Sequence, residues 1–193
     1  MNIAITGHTA GIGKSFTTSL EARGHDIVGL SKREGNNIRV AHKVAEKIIP
    51  CDMFINNAQA GYSQTELLYM VWRSWQHKPN KIIWVISTML TTSPTNPQVD
   101  NIDDIALNEY RNQKIALEDA FWQLKYRLGS PVMCLIKPGN IATNNVKQAG
   151  IDSCDVDLWC QQIINTWTAC SQNKISVDEL GLGFMYDNTP LEL

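Results

Sequence analysis

The stretch TGHTAGIGKS at residues 6–15 limits what this chain can fold into more than any other. An apolar run, NIAIT, leads into it and an amphipathic run follows. The pattern predicts a strand, a glycine-rich turn and a helix in succession. Two phosphate-binding loops compete for it. A P-loop ending in Gly13-Lys14-Ser15 needs its first glycine at position 8, where the chain has His8. A Thr-Gly-x-x-x-Gly-x-Gly turn fits at Thr6, Gly7, Gly11 and Gly13. In such a turn Gly7 permits the tight exit from the strand, and Gly11 lets backbone approach a diphosphate. Gly13 lets the helix pack close to the sheet. The helix start adds free amides and a partial positive charge. A glycine turn that holds no ligand is the competing account.

Beyond the turn, short apolar runs alternate with longer amphipathic ones. Strands are expected at 2–7, 26–31, 51–58, 81–88, 131–139 and 174–186. Helices are expected at 11–24, 39–49, 65–75, 103–129 and 155–171. Alternation of this kind implies a parallel sheet covered on both faces. The expected fold class is therefore α/β, a Rossmann-type doubly wound parallel sheet in three α/β/α layers, with residues 1–193 as a single domain. Ligands of such sheets bind beyond the carboxyl ends of the strands, so the residues just after each strand are the place to look for function.

Charge excludes one class of partner. The net charge is -2 and the 17 Lys and Arg are scattered, so no nucleic-acid partner is expected. Five cysteines with no C-x-x-C pair fit a reduced protein, and the four histidines form no cluster, so no metal is assigned. No apolar stretch approaches the ~20 residues needed to span a bilayer, and no leader-like segment opens the chain. A cytoplasmic location and no membrane partner are the expectation.

Four further stretches sit where strands end or a helix begins: NNAQAG (56–61), VISTM (85–89), YRNQK (110–114) and KPGNIAT (137–143). Together with the glycine turn, and in this order, they resemble the short-chain dehydrogenase/reductase family over essentially the whole chain. NNAQAG resembles the family's Asn-Asn-Ala-Gly, VISTM its strand ending in a catalytic hydroxyl, YRNQK its Tyr-x-x-x-Lys, and KPGNIAT its Pro-Gly-x-x-x-Thr.

That resemblance implies an oxidoreductase moving hydride between a nicotinamide cofactor and a small-molecule carbonyl or alcohol. Tyr110 and Lys114 are four apart, hence on one helix face, and a nearby ammonium lowers a phenol's pKa. Tyr110 is then the acid–base group and Lys114 its support. Ser87 and Thr88 are both candidates for the hydroxyl that orients the carbonyl. Strict alignment favours Thr88 and residue type favours Ser87, and strand alternation lets only one of them face the cofactor. The cofactor-binding set is Gly7, His8, Thr9, Gly11, Ile12 and Gly13 in the turn. It continues with Ser31, Lys32, Arg33 and Asn37 after the second strand, and Asn57 and Ala58 after the third. Tyr110 and Lys114 join it, with Pro138, Gly139, Ile141 and Thr143 at the nicotinamide end.

The second strand ends in Ser31, Lys32 and Arg33 rather than in an acidic residue. Cations there accept a 2′-phosphate, so NADP(H) is favoured, and Glu34 keeps NAD(H) open. Three departures from the family pattern stand out. The helix and strand that usually follow GLSKR are collapsed into EGNNIRV. The family's glycine after Asn-Asn-Ala is replaced by Gln59. No helix asparagine is found in SQTELLYMVWRSW. A catalytically silent dinucleotide-binding regulator of the same fold is the alternative function. A homodimer or homotetramer is expected from the resemblance, with Phe121, Trp122 and Tyr126 open to either an interface or the chain's own core.

Overall fold

The structure is a computed structural model that describes residues 1–92, 104–143 and 153–183. Its strands are β1 (Asn2–Thr6), β2 (Asp26–Leu30), β3 (Met53–Asn56), β4 (Ile82–Ile86), β5 (Val132–Pro138) and β6 (Glu179–Leu182). All pair in parallel, in the order β2-β1-β3-β4-β5-β6. The helices are α1 (Gly11–Glu21), α2 (Ala41–Ile48), α3 (Ser63–Trp75), α4 (Asp104–Lys125) and α5 (Val156–Gln172). The doubly wound α/β sheet expected from the alternation is the architecture found.

Strand pleating sorts the apolar residues into two cores. Ile3, Ile5, Met53, Ile55, Trp84, Ile86, Cys134 and Ile136 pack with Phe16 of α1 and Trp159 and Ile163 of α5. Their alternate neighbours Ala4, Phe54, Ile83, Val85, Met133 and Leu135 pack with residues of α2, α3 and α4. The same parity turns Ser87 toward α4.

Two element bounds differ from expectation in ways that matter, and the shortened β2–β3 connection is as expected. Helix α3 begins at Ser63, two residues earlier than the apolar periodicity placed it, and so takes in Gln64. The last strand covers only Glu179–Leu182 of the expected 174–186. Between β2 and β3 there is a 3-10 turn (Lys32–Glu34), closed by Gly35 at φ 81°, and then α2 alone. The missing helix and strand are thus truly absent from residues 31–52, and β2 is left at the sheet edge. Phe121 is core and Trp122 stacks on Tyr126 at 5.9 Å, while Tyr126 is exposed. Among the described residues no helix is long and apolar enough to cross a membrane, and no group of metal-binding side chains is found.

Candidate active site

The carboxyl end of β1 runs straight into the glycine turn. Gly7 and Gly11 take positive φ, 72° and 51°, where a Cβ would be strained. A Cβ on Gly13 would lie 2.3 Å from the Gly7 carbonyl oxygen and 2.7 Å from the Asn57 amide nitrogen. Only glycine allows α1 to sit this close to the strand end. Asn57 braces the turn from below, donating to the Thr6 carbonyl at 2.9 Å, while Thr6 Oγ1 accepts from the Asn57 and Ala58 amides. Helix α1 starts after Ala10, and no side chain caps its first turn. Its opening amides therefore face the cleft without a side-chain acceptor. Thr143 closes the opposite side, its methyl 3.4 Å from where a Gly11 Cβ would stand. The P-loop alternative fails here too: Ser15 is buried and donates to the Val156 carbonyl, and Lys14 is exposed.

At the carboxyl end of β4 the two hydroxyls part company. Ser87 continues the row of Ile83 and Val85 toward α4, and its hydroxyl donates to Glu118. Thr88 lies past the strand, and its side chain comes close enough to the Tyr110 hydroxyl to favour the phenolate. Both are buried. Of the two candidates, Thr88 is the one brought to the phenol, and Ser87 is committed to a carboxylate. Strand parity, which the sequence supplied, explains the split.

Lys114 is 3% exposed and donates to Gln64 Oε1 at 2.9 Å and to the Ile86 carbonyl at 2.8 Å. Its Nζ lies 5.6 Å from the centre of the Tyr110 ring. Burial pulls Lys114 down from 10.5 to about 7, partly opposed by Glu118. Tyr110 moves the other way from the expected lowering. Burial raises it above its ordinary value, and the nearby Thr88 side chain offsets part of that. The ammonium sits over the ring face rather than against the hydroxyl, so the helix spacing alone did not deliver the lowered phenol.

Gln64 holds this corner together. Its Nε2 donates to the carbonyls of Asn56 (2.8 Å) and Ile86 (3.0 Å), joining the ends of β3 and β4, while its Oε1 receives Lys114. Gln64 lies within SQTELLYMVWRSW, but a glutamine there does not match the asparagine of the family pattern, so the sequence did not mark it.

No family model matches the chain, and no curated protein matches it by sequence. Solved structures do match. A short-chain dehydrogenase from Streptomyces avermitilis superposes with TM-score 0.71 at 13% identity, over 94% of this chain and 88% of that one. Serine dehydrogenase from Escherichia coli gives 0.67 at 14%, over 98% and 100%. A short-chain dehydrogenase from Sphingobium yanoikuyae, in complex with NADPH, gives 0.65 at 15%, over 100% and 89%. The fold is that of the short-chain dehydrogenases.

On this short-chain dehydrogenase fold, a cleft of ≈ 510 Å³ runs beside Tyr110. Lys32, Asn37 and Arg39 line one side, and Glu109, Tyr110 and Gln113 line the other. Arg33, expected from the sequence beside Lys32, is exposed and does not line it, whereas Arg39, which no motif flagged, does. Glu34 turns back instead: its carboxylate accepts from Ser31 Oγ at 3.1 Å and lies 3.3 Å from His8 Nε2. His8 lies flat over Gly29, filling the space a Cβ there would need. Gln59, the replacement for the motif glycine, donates to Gln113 across the cleft, and Gln113 donates in turn to Glu109 at 3.0 Å.

The KPGNIAT segment closes the far side. Gly139 is wedged against Gly183 and Met89, and its amide donates to the Leu182 carbonyl at 3.1 Å. Ile141 is buried and bridges Cys154, while Thr143 faces the glycine turn. Thr9 and Ile12 flank the turn and are half-buried. The segments expected to form the substrate mouth, 93–103 and 144–152, lie outside the described residues.

Proposed function

We propose that this chain is an oxidoreductase of the short-chain dehydrogenase/reductase type, interconverting a carbonyl and an alcohol with a nicotinamide dinucleotide. One observation carries this: Thr88, Tyr110 and Lys114 converge at the end of β4, beside the cleft that Tyr110 lines. The turn fits the cofactor's diphosphate. Its glycines leave no Cβ over the uncapped start of α1, and Thr143 stands opposite. Gly7, His8, Thr9, Gly11, Ile12 and Gly13 would hold the diphosphate, with Ser31, Lys32, Asn37, Asn57 and Ala58 toward the adenosine. Pro138, Gly139, Ile141 and Thr143 would hold the nicotinamide end. The solved relative in complex with NADPH supports the same choice of ligand.

A bound nicotinamide dinucleotide supplies or accepts the hydride. Thr88 holds the substrate oxygen, and Tyr110 gives it a proton. A phenol kept above its ordinary pKa stays protonated at neutral pH, which suits the direction of carbonyl reduction. Lys114, near 7, steadies the developing phenolate, and Tyr110, which lines the cleft, takes its replacement proton from water there. NADP(H) is the favoured cofactor because Lys32 and Arg39 both line the cleft and can clamp a 2′-phosphate. Glu34, already engaged by Ser31 and His8, is the group that would serve NAD(H) instead. NADPH oxidation against a panel of aldehydes and ketones tests the assignment, with Tyr110→Phe as control. Turnover that survives this change unaltered contradicts it. Tight dinucleotide binding with no turnover on any substrate would point to the silent regulator.

A further inference from the structure

Glu118 has no role in the proposed reaction, yet it is the most heavily engaged carboxylate in the described structure. It lies on α4, one helical turn beyond Lys114. Its Oε1 accepts from Ser87 and, at 2.8 Å, from Thr91 Oγ1, and its Oε2 pairs with Lys137 Nζ at 3.0 Å. Those partners come from three places: the end of β4, the 3-10 turn after Thr88, and β5. The pair is nearly withdrawn from water, with Lys137 at 5% and Glu118 at 14% side-chain exposure. A buried ion pair of this kind gives little stability against a well-packed apolar substitute. Its retention next to a second buried lysine calls for another explanation.

Resting on the reductase assignment, we propose that Glu118 is a positioning residue for that reaction. It pins the backbone that presents Thr88 to Tyr110, and it keeps a fixed negative charge one helical turn from Lys114.

Geometry supports both halves. Thr88 sits between two residues that Glu118 holds by their hydroxyls, Ser87 and Thr91. Arg111, also on α4, adds to the clamp by donating to the Leu90 carbonyl at 2.9 Å. Around Lys114 the contacts from α3 and β4, Gln64 and the Ile86 carbonyl, are uncharged. Among the described residues, the titratable groups that bear on it are Tyr110 and Glu118 on α4, with Lys137 of β5 reaching it through Glu118. Glu118 favours the ammonium form of Lys114, and Lys137, paired with Glu118 at 3.0 Å, offsets part of that negative charge.

The two partners should therefore act in opposite directions, which a purely structural role would not produce. The test labels lysine Cε with carbon-13 and follows the Lys114 resonance against pH by NMR, with no cofactor present. Glu118→Gln should lower the midpoint from about 7 by about one pH unit, and Lys137→Met, which removes a charge farther from Lys114, should raise it by about half a unit. The double variant E118Q/K137M removes both charges, so it covers the case where a single variant does not fold. Its midpoint should fall by about half a unit or more. The pH limb of kcat/KM for carbonyl reduction should follow the same shifts. Midpoints that stay put, or move in the same direction in both single variants, overturn the proposal, as does a kinetic limb that ignores them. An enzyme-inactive chain with the opposed NMR shifts would instead overturn the reductase assignment and leave the electrostatic coupling standing.

Discussion

The two ends of the cleft are built on different principles. At the β4–α4 end, Gln64, Ser87, Thr88, Gln113, Lys114 and Lys137 are all buried, and each has a hydrogen-bond partner. At the β2 end, Lys32, Arg33, Glu34 and Arg39 are exposed, on a connection shortened to a 3-10 turn and one helix. A buried polar network is costly unless every member is satisfied, so it holds one arrangement firmly. Exposed side chains cost little to place and little to replace. The β4–α4 end should therefore be intolerant of change, and the β2 end should tune the cofactor without touching the chemistry.

The largest expected effect breaks the first end at the proposed acid–base group. Tyr110→Phe should lower kcat by about 10²–10⁴-fold while leaving dinucleotide affinity within about twofold, by steady-state kinetics and fluorescence titration. Next comes the glycine turn between the two ends. Gly13→Ala drives a Cβ into the Gly7 carbonyl, and should cost about 3 kcal/mol of stability in urea unfolding.

Third is the charge of Lys114. Its folded-state pKa, about 7, lies below its ordinary 10.5. Between those values the unfolded chain carries a proton that the folded one does not, so this group's contribution to stability rises with pH and is lost as pH falls toward 7. From pH 7 to pH 9 unfolding should become harder by about 2 kcal/mol on this account, and Lys114→Met should flatten that dependence. A slope that persists in the variant would place its origin elsewhere.

The smallest effect sharpens the contrast at the β2 end. Arg39→Ala should raise the NADPH KM about tenfold and leave the NADH KM and kcat alone. Arg33→Ala, outside the cleft, should change neither by more than about twofold. Equal losses in the two variants would restore the pairing of Lys32 with Arg33 that the sequence favours.

These differences also mark what could be read from residues alone. The layered fold followed from period and alternation, because continuous apolar strands such as IIWVI have only one way to be covered on both faces. The glycine turn was legible because each of its glycines answers a steric demand. Gln64 was not, since it stands as a glutamine in the stretch where the family pattern has an asparagine. Lys137 had a signal, a charge inside the run VMCLIKP, and Glu118 another, its four-residue step from Lys114, but their pairing needs the distance between β5 and α4. Arg39 was hidden because a shortened connection changes which residue reaches the cleft, and composition does not record chain path.

The most direct measurement is a crystal structure of the chain with NADPH. The diphosphate should lie on the amides at the start of α1, with the nicotinamide ribose in hydrogen-bond reach of Lys114 and the ring beside Tyr110 and Thr88. A dinucleotide bound away from the glycine turn, or a nicotinamide out of reach of Tyr110, would contradict the account.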